Sequence, residues 1–141
     1  MHRFIIPFIV GLCSASPGLA NEAVNRFEAA SEAISEKLYQ LSDAENPGVF
    51  KRLPDHEWDA AHRSAGTCVL VAIADQAGAQ SMTQYIVSLE SVAESTFGNT
   101  ASLLDALNFQ VSGVSSQSIQ LIGQACGLTE LQAARLQAAL Q

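Results

Sequence analysis

NEAVNRFEAASEAISEKLYQLS, running from Asn21 to Ser42, decides the fold class. Ala23, Val24, Phe27, Ala30, Ile34, Leu38 and Leu41 fall on one stripe at three- and four-residue steps, while Glu28, Glu32 and Glu36 line another face. This is the period of an amphipathic helix, and an apolar stripe of that width must be buried against other elements. Its surroundings repeat the pattern. Asp43 to Leu53 interrupts it, with Asn46-Pro47-Gly48 as a turn from which Phe50 and Leu53 tuck back onto the core.

Beyond the turn, Asp55 is expected to cap a second helix reaching about Gly78, with Glu57 and Asp59 in its first turn where the helix dipole favours acids. Ser81-x-x-Gln84 reads as a capping box opening a third helix, with Met82, Tyr85, Ile86, Leu89, Val92 and Ala93 inward and Gly98 as the stop. A short helix is expected over 100–108, and another starts at Ser115 or Ser116, carrying Ile119, Ile122 and Cys126 before Gly127. Thr129-x-x-Gln132 reads as a second capping box, with Ala133, Leu136 and Leu140 facing inward on the last helix. Phe109-Gln110-Val111 is too short a β pattern to matter. The expectation is an all-α protein, a compact bundle of about five to six helices.

Upstream, Met1-His2-Arg3 is a short basic start, Phe4 to Leu12 is apolar, and small residues lead to Gly18-Leu19-Ala20. That order is a secretory signal peptide over 1–20, with cleavage expected after Ala20 and Ala15 as the other site with small residues near the cut. A nine-residue run rises about 14 Å as a helix, short of the ~30 Å hydrocarbon core, so no membrane span is expected after signal cleavage. Val10-Gly11-Leu12-Cys13 loosely resembles the lipobox of bacterial lipoproteins, which would lipidate Cys13, but Leu12 stands where that pattern has a small residue. The remaining 21–141 is read as a single helical domain, periplasmic or secreted.

Two cysteines remain after the signal, Cys68 and Cys126, and in an oxidising compartment they read as a disulfide. Ala61, Ala65 and Ala72 flank Cys68 on one helix face, and Gly123 precedes Cys126 by one turn. Such small neighbours let two helices approach closely enough for bridging.

The net charge of −7 excludes the basic patch that nucleic acid or an anionic membrane requires. Charge is also unevenly placed. Residues 21–75 hold ten of the 14 acids, whereas residues 76–141 hold four acids, Arg135 and ten glutamines. Gln84, Ser88, Ser91 and Ser95 share one helix face and Gln117, Gln120 and Gln124 another. Surfaces this poor in charge suit contact with a protein partner or a second copy.

Asp55, Asp59 and His62 are the best-spaced ligand set for a metal, falling at i, i+4 and i+7 of the expected second helix. His56-Glu57 starts like the H-E-x-x-H zinc motif, but Ala60 occupies the second histidine's place. An acidic helix start with His62 beside Trp58 explains the same residues without a metal. Glu90 and Glu94, four apart, offer paired carboxylates only in the sense of a solvated polar face. No catalytic residues, no cofactor, no G-x-S-x-G elbow and no phosphate-cradling glycine loop are found in the sequence. The functional expectation is an exported, non-catalytic helical binding or accessory module acting through protein contacts. The alternatives are an acid-responsive periplasmic chaperone, by broad architectural analogy with small single-disulfide chaperones, and a metal binder or metal-dependent enzyme using the Asp55/Asp59/His62 face.

Expressed in a Gram-negative host, the protein should fractionate with the periplasm at a mass beginning with Asn21. Full-length cytosolic protein overturns the export reading, and a diacylated Cys13 replaces it with a lipoprotein.

Overall fold

The computed structural model describes residues 17–141; the basic start, the apolar run and Cys13 of the candidate signal segment lie outside the described residues. Six helices follow one another: α1 Pro17–Glu45, α2 Ala60–Ala77, α3 Ala79–Glu94, α4 Thr100–Ala106, α5 Ser116–Ala125 and α6 Leu128–Leu140. Among the described residues the one β-type pairing is an isolated bridge between Val111 and Val114, so the 109–111 stretch forms no strand and leads into the turn at Ser112 and Gly113. The all-α expectation holds.

The stripe of α1 is buried as its spacing dictates, with Val24, Phe27, Ala30 and Ile34 in the core. It packs mainly on α3, through Tyr85, Ile86, Leu89 and Val92, and α2 crosses both with Val69, Leu70 and Ile73. Leu103 of α4 is completely buried at the edge of this three-helix core. Polar links sit around the apolar centre. Arg26 on α1 forms a two-pronged ion pair with Glu90 on α3 at 2.6–2.7 Å. Glu90 is therefore an interhelix partner, a role the expected solvated Glu90/Glu94 face did not include. Arg63 on α2 pairs with Glu28. Lys37 donates to the carbonyls of Ala93 and Ser95, serving the open C-terminal end of α3 where the dipole favours a cation.

Three expected helix starts are corrected. The second helix begins at Ala60 with Asp59 as its N-cap, accepting from His62 N–H at 2.9 Å; Asp55 lies before the helix. The reason is Trp58. Its ring meets Phe27 edge-on, with centroids 5.2 Å apart, and lies over Gly66, where an added Cβ would overlap it. Docking the indole there holds residues 55–58 off the helix axis, so the later acid becomes the cap. In the third helix, Ser81 is inside the helix, not at its start. Ser81 Oγ donates to Ser112 C=O at 2.6 Å, and Gln84 Oε1 accepts from Ser112 N–H at 3.1 Å. The paired side chains satisfy the N–H and C=O of one distant residue in place of their own helix terminus. Gly78, at φ +94°, ends α2 and opens α3 in a single residue. The helix stops at Glu94, before the expected Gly98.

The last helix starts at Leu128 behind Gly127, whose φ of +79° turns the chain directly out of α5. Thr129 and Gln132 do not box its terminus, since Gly127 supplies the turn and no side chain caps it. Its inward face is Leu128, Leu131 and Ala139, while Ala133, Leu136 and Leu140 are exposed. The shift in facing follows from how the hairpin is attached. Cys126, immediately before the turn, is joined to Cys68 of α2, with Cα atoms 5.7 Å apart. Near the other end of α6, the Ala139 carbonyl accepts from Lys51 N–H at 3.1 Å. These two anchors orient the helix about its own axis.

The bridge closes a loop with a sequence separation of 58 residues. In the chain-entropy account that constrains the unfolded state by about 4 kcal/mol. Replacing both cysteines by alanine should lower the free energy of unfolding by about that amount in denaturant titration, with the helical circular dichroism retained. Unchanged unfolding would show that the hairpin docks without the bond.

Candidate functional site

The sequence-derived ligand set does not assemble. Asp59 Oδ1 accepts from both the backbone N–H and Nδ1 of His62, the latter at 2.7 Å. A carboxylate offers only lone pairs, so Nδ1 carries the proton. Nε2 is buried and has no hydrogen-bond partner. Asp55 turns its carboxylate to Glu57 N–H at 3.1 Å, in a local turn of its own. Among the described residues no three His, Cys, Asp or Glu side chains converge as a metal-binding group. What the sequence could not reveal is Arg135, 76 positions away, whose guanidinium reaches Asp59 Oδ2 and the Asp55 carbonyl at 3.4 Å. The cluster ties the start of α2 to α6. It is a joint between elements.

A different place has the form of a binding site. Between α1, α4, α5 and α6 lies a cleft of about 630 Å³, within the range of small-molecule pockets, which favour the spaces between helices of a bundle. Its floor is the core itself: Phe27, Val69, Tyr85 and Leu89. Ile34, Leu38 and Tyr39 form one wall, and Leu104, Leu107 and Phe109 continue it past α4. Ile119, Gly123, Leu128 and Leu136 form the opposite wall. Ser31, Asn108, Gln120 and Gln132 supply neutral polar groups. No Asp, Glu, Lys, Arg or His lines it.

The walls follow from local sequence. On α5 the amphipathic pattern is strong, yet none of its residues is fully buried. Ser115 caps that helix by accepting from Ser118 N–H at 3.1 Å, which aims Ile119 at the cleft one turn later. Leu104 and Leu136 remain 51% and 39% exposed because they border open space. Leu136, expected to face inward, borders the cleft and stays exposed, while Ile119 packs against the core and lines the cleft as well. The missed signal was the surplus of apolar residues on α5 and α6 relative to what a third packed neighbour would cover. Of the amide-rich faces, Gln120 lies on the cleft, whereas Gln84 is committed to Ser112 and the Ser95 hydroxyl to the Ser91 carbonyl.

The tyrosines keep the cleft neutral. Burial pushes the Tyr85 hydroxyl up to about 12, and burial also raises Tyr39 above its ordinary value, although nearby Arg135 opposes it. Both phenols are uncharged at physiological pH.

Outside the cleft, several carboxylates are held below their usual range. Asp59 is lowered to about 2, first by the His62 backbone N–H and then by the His62 ring. Glu45 is lowered by the Thr100 N–H and hydroxyl, and Glu90 by the Arg26 guanidinium. A carboxylate depressed in the folded state contributes stability that is present above its unfolded value, near 4, and is lost as pH falls through the folded value. The thermal midpoint should therefore decline between pH 4 and pH 2, and Asp59→Asn should start lower at neutral pH but decline less on acidification. Parallel profiles for the two proteins would show that the Asp59 cap carries no pH-dependent stability. No family model, curated protein or solved structure matches the chain.

Proposed function

We propose that the chain is an exported, non-catalytic binding module whose recognition surface is the cleft between α1, α4, α5 and α6. The observation that carries this reading is the cleft's composition: apolar walls reaching down to the core, neutral polar groups, and no ionisable group apart from two un-ionised tyrosines. Such a lining binds by burying surface, and it offers no His, Lys or carboxylate to activate its serine and threonine hydroxyls. Cys68 and Cys126 at bonding distance support the periplasmic or secreted location, because disulfides persist in oxidising compartments. No helix among the described residues is long and apolar enough to cross a membrane.

The acid-responsive chaperone is the second reading. It is favoured by the number of interhelix links that rest on carboxylates: Arg26–Glu90, Arg63–Glu28, Glu45–Thr100 and Asp59–Arg135. Protonation would release them together. The depression of Glu45, Asp59 and Glu90 moves that release below the ordinary carboxylate range, away from mild acid. A hydrophobic dye added to the same pH series separates the readings, since a chaperone must gain dye-binding surface by pH 3.

The binding reading is tested by photo-crosslinking in the native envelope, with benzoylphenylalanine placed at Gln120 on the cleft or at Gln76 on exposed α2. Adducts of defined mass are expected from position 120 and not from position 76. No adduct at 120, or the same adducts from both, overturns the assignment of the cleft as the binding surface.

A further inference from the structure

We propose that the occupant of the cleft is a small, uncharged, mostly hydrocarbon amphiphile with one hydrogen-bonding end, such as a neutral monoacyl lipid. This rests on the reading of the cleft as the binding surface and goes on to name the chemistry of what fills it.

Depth is the first argument. The cleft opens past Leu104 and Leu136, which are half-exposed, and reaches Phe27 and Val69, which are each 2% exposed. A protein interface of ordinary size covers about 800 Å² per partner, mostly as a broad patch. A concave cleft with the bundle core as its floor suits a small molecule better than the broad surface of a partner. Its volume of about 630 Å³ corresponds to roughly twenty waters at ~30 Å³ each, so a ligand of similar heavy-atom count fills it.

Charge is the second. An anionic headgroup drawn into the cleft would find no Lys, Arg or His on its lining, and a cationic one would find no Asp or Glu. An unpaired charge taken out of water is strongly disfavoured. Arg135, the one base on α6, is turned to Asp59 and the Asp55 carbonyl. The net charge of −7 further disfavours anions at a distance. An uncharged ligand meets none of these costs. Its acyl chain replaces water against Leu104, Leu107, Ile119 and Leu136, at about 0.8 kcal/mol per buried methylene. Its hydroxyl or ester end meets Ser31, Asn108, Gln120 or Gln132, which are donors and acceptors without charge.

The test compares three amphiphiles of one chain length on the purified oxidised protein: 1-monolauroylglycerol, laurate and dodecyltrimethylammonium, each below its aggregation concentration. Binding is read by displacement of the neutral fluorophore N-phenyl-1-naphthylamine and by titration calorimetry. The expected result is one monolauroylglycerol per protein, bound about tenfold or more tightly than either charged analogue, a difference of about 1.4 kcal/mol. Leu104→Arg places a cation at the mouth of the cleft on an exposed position, so folding is preserved. It should weaken monolauroylglycerol and shift the preference toward laurate, and Leu136→Arg should do the same from the opposite wall. Laurate binding as tightly as monolauroylglycerol, or neutral binding untouched by both substitutions, overturns the proposal. Absent lipid binding together with protein-sized crosslinks from position 120 overturns the ligand class and leaves the binding module standing. If position 120 gives no crosslink at all, it is the module reading that falls.

Discussion

The Cys68–Cys126 bond governs the arrangement of the second half of the protein. Helices α5 and α6 form a hairpin turned by Gly127 alone, and their main packing is on α2 and on each other. Without extensive packing on α1, the hairpin has one firm shoulder, and the bond sits on it. Pinning one edge of a hairpin to α2 leaves the other edge standing clear of α1 and α4. The cleft is that clearance.

A second constraint works at the other end of α2. Trp58 occupies the space above Gly66 and against Phe27, and so decides where the helix begins. Two acids, Asp55 and Asp59, are chemically equal as caps; only the second is in place once the indole is docked. The same docking brings Asp59 to Arg135 of α6, so the start of α2 and the body of the hairpin share one ion-paired joint. His62 is buried within it, its Nδ1 committed to Asp59. Spacing that resembles a metal face in the sequence is, in the folded chain, the capping of a helix and the docking of its neighbour.

Reading the sequence succeeded wherever one element's own pattern was enough. The α1 stripe, the Asn46-Pro47-Gly48 turn, the Ser115 cap of α5 and the small residues around the cysteines are all local, and all appear in the fold. It failed where a side chain had a choice of partner. Ser81 and Gln84 have the spacing of a capping box, yet both serve the backbone of Ser112, 28 to 31 residues away, where they pair the N–H and C=O of the turn between Val111 and Val114. Thr129 and Gln132 have the same spacing and face the cleft.

From the sequence by itself came the fold class, the pairing of the cysteines, and the scarcity of charge in the C-terminal half, because helical period, cysteine number and composition are properties of the chain that no neighbour alters. The helix starts at Asp59 and Gly127, the union of Arg135 with Asp59, and the cleft depended on the tertiary structure. An apolar position on a helix does not declare what it will meet, and Val71, Val87 and Leu121 stay half exposed. Whether Leu136 faces packed core or open space is settled by where a hairpin is bolted to its neighbour, and that is a fact about distance between elements that the order of residues does not contain.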